Sequence, residues 1–139
     1  QAVAPRANRP GTRLSAIPLD FDPANRATWP IERVRNPGYV PSEFVAVNVR
    51  LRDQHCVWPG CDVPAEACQI DHVVPFDPGL PAETQTVARG LQCLCPRHHL
   101  AKHKDGWQVQ RDTFTGATTW TSPTGQTHTV PPAVYNQTA

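Results

Sequence analysis

A chain of 139 residues with 39% apolar and 18% charged residues has room for one domain with a thin core, which a metal clamp would help to hold. No run of eighteen apolar residues occurs, so no membrane-spanning helix is expected, and the N-terminus lacks the apolar stretch of a signal peptide. Net charge is +1, spread unevenly: residues 1–52 hold eight Arg against four acids, and residues 53–139 hold five basic residues against eight acids. A weakly basic arm on a near-neutral body does not by itself distinguish a phosphate-binding surface from a solvated one, so any nucleic-acid argument rests on the site.

In chain order, residues 1–38 are rich in Pro and Arg without strong periodicity. They are expected to form an extended arm or a linker from an upstream domain, with Trp29 and Tyr39 able to dock it on the body. The first residue, Gln1, fits a fragment or a processed chain. A helix is predicted to open at Pro41-Ser42-Glu43, with Ser42 as cap, and to stop near Arg52 or Asp53. Phe44, Val47 and Leu51 are expected to be its buried stripe. Gln54 to Pro64 reads as a knuckle turned by Pro59-Gly60. Residues 68–74 read as a short strand carrying Cys68, Ile70 and Val74, and residues 75–90 as a loop. A second helix is predicted from Pro96 to about Lys104, ending before Gly106. Strands near 117–121 and 127–130 flank the Ser122-Pro123-Thr124-Gly125 turn and form a hairpin. Residues 39–130 would be the folded domain and 131–139 a loose tail. Asn136-Gln137-Thr138 matches a glycosylation acceptor by letters only.

Five cysteines would leave one unpaired in a disulfide framework. Cys56-x4-Cys61 and Cys95-x2-His98 instead form two short ligand pairs separated by 33 residues. Tetrahedral zinc takes four such soft or borderline donors, and would staple the first helix region to the second. That set suits a reducing compartment, hence a cytoplasmic location. Cys68 and Cys93 sit among apolar residues and are expected to be core thiols.

A second group is Asp71, His72, His99 and His103. Neighbours on a helix diverge by about 100°, so His98 can face the zinc while His99 faces the strand, and His103 shares the face of His99. Asp71 and His99 can hold a hard divalent ion and leave positions for water and a phosphate oxygen. His72 points the other way from its strand and can activate the attacking water as a neutral imidazole. A backbone carbonyl would have to fix its tautomer. In the rival reading, Asp71 only orients His72, or both are surface residues at a strand end.

The run from Cys56 to Lys104 resembles the HNH endonuclease family, in its zinc-stabilised branch with actinobacterial and phage members. The marks are Cys56-x-x-Pro59-Gly60-Cys61, Asp71-His72-Val73-Val74-Pro75 and Leu91-x-x-Leu94-Cys95-x-x-His98-His99-x-x-Lys102, and Trp107 and Trp120 match a frequent continuation. The resemblance implies a small α+β fold with a ββα-metal (His-Me finger) core, a structural zinc, an N-terminal arm and a C-terminal β-hairpin. It implies that Asp71 and His99, with His103 as a further ligand, bind a catalytic Mg²⁺ or Mn²⁺. Cys56, Cys61, Cys95 and His98 would hold Zn²⁺, and His72 would be the general base. Family members cleave DNA to leave 5′-phosphate and 3′-hydroxyl ends. The family has an Asn where this chain has Gly90, and that Asn pins the loop after the first strand; Gln85, Thr86 or Gln92 are the candidates to replace it.

DNA is the expected partner. Arg89, Arg97, Lys102 and Lys104 would contact phosphate, largely without regard to sequence. No sequence-recognition module is evident, so any sequence specificity would be weak or come from an upstream domain, and oligomeric state decides between nicking and double-strand cutting. The competing class is a zinc-stapled nucleic-acid-binding module without catalysis, which has no use for the convergence of Asp71, His72 and His99.

Overall fold

The computed structural model describes residues 20, 22–25 and 28–134. Residues 1–19 of the expected arm and residues 135–139 of the expected tail, with the Asn136-Gln137-Thr138 acceptor, lie outside the described residues. Among the described residues the fold is a small α+β arrangement of two sheets and three helices. Among the described residues no helix is long and apolar enough to cross a membrane.

Helix α1 spans Glu43–Asp53 and starts where Ser42 Oγ accepts from the Val45 N–H at 3.3 Å, a standard N-cap bond. Its inner face is not the expected one. Phe44, Val47 and Leu51 are 61%, 44% and 57% exposed, while Val45, Val49 and Asp53 are buried. Polar anchoring turns the helix. Asp53 Oδ2 accepts from the Cys93 N–H at 2.9 Å, and Arg52 donates to the carbonyls of Ala88 at 2.8 Å and Leu91 at 2.6 Å. Backbone groups with no strand partner need such bonds once buried. An apolar stripe cannot supply them.

After α1 the chain makes the knuckle. Pro59-Gly60 closes a turn in which the Cys61 N–H donates to the Trp58 carbonyl at 3.0 Å. Gly60 has φ +77°, the conformation a type II turn requires of its third residue. The knuckle is tied to the body by the Val57 N–H, which donates to the Cys93 carbonyl at 3.0 Å.

Strand β1, Gln69–His72, pairs antiparallel with β2, Leu91–Leu94, with Asp71 opposite Gln92 and His72 opposite Leu91. The connection is less irregular than expected: it contains a one-turn helix α2, Ala82–Gln85, and a 3₁₀ turn, Ala88–Gly90. Helix α3, Pro96–Lys104, follows β2 directly with Pro96 in its first turn. The expected hairpin appears as β4, Thr118–Thr121, and β5, Thr127–Val130, and gains a third strand, β3, Gln108–Arg111. Trp120, fully buried on β4, donates from Nε1 to the Val57 carbonyl at 3.1 Å and so fixes this second sheet to the knuckle.

Part of the stretch expected to be an arm packs on the body. Pro30–Arg33 forms a 3₁₀ turn that buries Glu32. Asn36 is 1% exposed, its Nδ2 donating to the Thr86 carbonyl and its Oδ1 accepting from the Ser42 N–H, both at 2.7 Å.

Arg52→Ala should destabilise the metal-loaded protein by about 3 kcal/mol, because it strands Asp53 and two carbonyls, whereas Phe44→Ser should change stability by less than about 0.5 kcal/mol. Urea unfolding of the two variants measures both, and the reverse order would restore the original assignment of the buried face.

Candidate metal centres

Two groups of side chains converge, and both could hold a metal ion. Within each, the ligating atoms lie within 4.8 Å of one another.

The first is Cys56, Cys61, Cys95 and His98. His98 Nδ1 lies 3.4 Å from Cys95 Sγ and 3.7 Å from Cys56 Sγ. All described cysteines are free thiols. Cys95 is the N-cap of α3. Burial alone would raise its pKa, but the backbone N–H groups of His98 and Arg97 at the helix start, with the Cys56 and Cys61 thiols, bring it below the usual value. Burial pushes the Cys56 thiol well up, so a thiolate there needs a cation beside it. Burial lowers the His98 pKa and keeps its imidazole neutral, the ligating form. Trp58 covers the cluster, stacked parallel on the His98 ring with centroids 4.5 Å apart. Cys68 and Cys93 lie outside the cluster and are buried in the core.

The second is Asp71, His99 and His103. Asp71 Oδ1 lies 3.1 Å from His103 Nε2 and 3.3 Å from His99 Nε2, and the two Nε2 atoms are 3.1 Å apart. Asp71 is 2% exposed, His99 29% and His103 47%, so the group has a protein side and a solvent side. Burial lowers the His99 pKa more than the Asp71 charge raises it.

The other oxygen of Asp71 is taken by protein. Gln92, opposite Asp71 on β2, donates to Oδ2 at 2.9 Å, and Lys102 Nζ donates to it at 2.7 Å. Lys102 also donates to the His72 carbonyl at 2.6 Å. The expectation that Lys102 meets phosphate is therefore corrected: it is 6% exposed, because on α3 it lies three residues after His99, on the side of the helix that packs against the end of β1. Arg89 is half-buried and donates to the Glu32 carbonyl at 3.3 Å. Arg97 and Lys104 are exposed, but they line a groove of about 440 Å³ with Trp58, His98 and Trp107 on the far side of α3 from His99 and His103.

His72 leaves β1 on the face opposite Asp71. It is 7% exposed, and burial lowers its pKa more than Asp71 raises it. Its Nε2 lies 3.1 Å from Thr86 Oγ1, where a backbone carbonyl was expected. The rings of Tyr39 and Phe76 lie against it at 5.0 and 5.2 Å.

Gly90 stands where a side chain cannot. A Cβ there would sit 2.8 Å from the Gln85 carbonyl oxygen. The loop is pinned from within instead. Gln85 Nε2 donates to the Asp77 carbonyl at 2.9 Å and its Oε1 accepts from the Asp77 N–H at 2.7 Å, with further bonds to the Leu80 and Pro81 carbonyls. Gln92 was not foreseen as a partner of Asp71. Reading Leu91–Leu94 as the mate of the Asp71 strand would have found it.

No family model and no solved structure matches the chain. It is similar to Uncharacterized protein Rv3776 of Mycobacterium tuberculosis strain H37Rv, 40% identical over 111 residues that cover 73% of this chain and 20% of that protein. Uncharacterized protein Rv2100 of the same strain and Uncharacterized protein MT2160 of strain CDC 1551 are each 42% identical over 111 residues, covering 73% of this chain and 19% of theirs. The chain spans about a fifth of the length of the curated relatives it matches.

Gln92→Leu should weaken divalent-ion binding at the Asp71 group by about tenfold, since groups that orient a ligand typically carry 10- to 100-fold in affinity, while metal retained by the Cys/His cluster stays unchanged. Ion titration followed by the His99 and His103 ring resonances measures the first, and metal analysis after gel filtration the second; equal ion affinity in the two proteins would remove Gln92 from the site.

Proposed function

We propose that the protein is a divalent-ion-dependent DNA endonuclease of the HNH type, with a structural zinc in the Cys/His cluster. The observation that carries the reading is the meeting of Asp71 Oδ1, His99 Nε2 and His103 Nε2 at 3.1–3.3 Å, next to a histidine that leaves the same strand end.

Those separations suit one ion. Donors about 2.1 Å from a metal lie about 3.0 Å apart on an octahedral edge and about 3.4 Å apart on a tetrahedral one. For a zinc bound by sulfur and imidazole in tetrahedral geometry the corresponding edge is about 3.5 Å, and Cys95 and Cys56 lie 3.4 and 3.7 Å from His98 Nδ1. The order β1, β2, α3, with ligands from the strand end and the helix, supports a ββα-metal core. Two imidazoles in the open group favour Mn²⁺ over Mg²⁺, the harder ion.

In this reading, Asp71, His99 and His103 would hold the ion, which when bound would supply stabilisation of charge on the phosphoryl oxygens and on the departing oxygen. Asp71 offers one oxygen to it, because Lys102 and Gln92 occupy the other. His72 holds the attacking water and takes its proton, which the lowered pKa permits at neutral pH because the ring is uncharged there. Tyr39 and Phe76 confine the ring. The exposed side of His103 and His99 is where a phosphate would enter. Arg97 and Lys104 would meet a neighbouring stretch of backbone or a second strand segment, since they stand across α3 from the reacting group. The activity, substrates and partners of any longer protein that carries this module are part of the same proposal.

Supercoiled plasmid should be relaxed or linearised with Mn²⁺, more slowly with Mg²⁺, and left intact with chelator. His72→Ala should lower the rate by at least about 100-fold while retaining DNA binding in a gel shift. Cleavage by His72→Ala at the parental rate would defeat the mechanism, and DNA binding with no cleavage under any ion would favour the non-catalytic module.

The rate should fall as pH drops through a pKa below 6.5. The neutral base is the active form, and burial depresses the pKa at which it is lost. A pH–rate profile of kcat/KM with Mn²⁺ saturating measures this, and an acid limb centred above 6.5 would contradict it.

A further inference from the structure

Thr86 is a wholly buried residue in the loop before β2, and its side chain touches the ring that the proposed reaction needs. His72 Nε2 and Thr86 Oγ1 are 3.1 Å apart, the one hydrogen bond of that ring among the described residues. The other ring nitrogen, Nδ1, makes no hydrogen bond among the described residues, so Nε2 is the end of the ring that the protein holds.

Thr86 is itself held from outside the loop. Its carbonyl accepts from Asn36 Nδ2 at 2.7 Å, and Asn36 Oδ1 accepts from the Ser42 N–H at 2.7 Å, which ties the same side chain to the start of α1. Asn36 is 1% exposed, and its bond to the Thr86 carbonyl is buried, shielded from water and stronger for it. Three residues on, Tyr39 lays its ring against His72. The segment before α1 thus reaches the site through two routes, one polar and one aromatic.

We propose that Thr86 is a positioning residue for His72, its hydroxyl accepting from Nε2–H so that Nδ1 carries the free lone pair, and that Asn36 sets where that hydroxyl stands. A neutral imidazole has one protonated nitrogen, and the bond made by one nitrogen decides which remains basic. With the proton on Nε2, the unbonded Nδ1 can take a proton from water. With the proton on Nδ1, the ring would offer water only a donor. The inference rests on the nuclease reading for its purpose, but the tautomer it assigns exists with or without cleavage.

The test is done on the full chain with its metal loaded, in the absence of DNA. The ¹³Cδ2 and ring ¹⁵N shifts of His72 report its tautomer directly. The parent should show a single Nε2–H tautomer. Thr86→Val, which keeps the shape and loses the hydroxyl, should give a mixture, and Thr86→Ser should restore the parental signal. Asn36→Asp, which loses the donor to the Thr86 carbonyl, should shift the ring signals in the direction of Thr86→Val.

On plasmid cleavage with Mn²⁺, Thr86→Val should lower kcat about tenfold with KM little changed, and Thr86→Ser should recover it. An Nδ1–H tautomer in the parent, or a parental spectrum in Thr86→Val, would overturn the assignment even if cleavage depends on His72. A parent that shows the Nε2–H tautomer yet never cuts DNA would leave the assignment standing and remove the nuclease reading instead. The parental spectrum decides the matter even where a variant fails to fold.

Discussion

A buried ammonium group holds the two halves of the Asp71, His99 and His103 group in register. Lys102 Nζ lies between Asp71 Oδ2 and the His72 carbonyl, with its side chain 3% exposed. It ties α3 to the end of β1 at the point where both contribute side chains to that group. A charge buried this deeply is tolerated only with partners on its donors, and here the partners are the carboxylate that would bind an ion and the backbone of the histidine beside it. The same contact leaves Asp71 one oxygen for the solvent side. Orientation of the helix, geometry of the carboxylate and placement of His72 are thus one constraint rather than three.

Helix α3 serves both centres because consecutive residues on a helix face different ways. His98 turns to the thiols, and His99 turns to Asp71 with His103 one turn on. The start of the helix lends its backbone N–H groups to the Cys95 sulfur, so the first cluster depends on the end of the helix and the second on its side. A metal in the first cluster would clamp the knuckle to that end. The second sheet contributes Trp120, which supports the knuckle from behind. This division lets a thin core support two sets of converging polar groups, because each set is braced by backbone and by aromatic rings rather than by apolar volume.

The parts legible in sequence were those encoded by short spacing. The Cys/His pairs lie on tight turns, and Pro96 and Gly106 bracket α3, so local rules reach them. The inward face of α1 was not legible, because the buried positions include Asp53 and the half-covered Arg52, whose partners are backbone groups some forty residues away. Lys102 was read as a phosphate contact for the same reason: its partners lie about thirty residues back, on β1. Strand β2 carries no alternation, since all four of its residues are buried, Gln92 among them. A polar residue wholly inside a strand becomes intelligible only once its cross-strand neighbour is known to be Asp71. Asn36 was hidden in a Pro- and Arg-rich stretch whose composition resembles a linker.

The closeness of Gly90 to the Gln85 carbonyl restricts how this loop could have changed over evolutionary time. With 2.8 Å between a would-be Cβ and that oxygen, no residue with a side chain enters position 90 unless the backbone around Gln85 has already moved. The bonds from the Gln85 side chain to Asp77, Leu80 and Pro81 hold that backbone where it is. The two positions are therefore epistatic: an asparagine introduced at 90 alone would meet a blocked site, and a lineage could exchange one arrangement for the other only through paired or ordered substitutions. Relatives with a side chain at the corresponding position should accordingly differ at the glutamine as well, or carry a loop of different length.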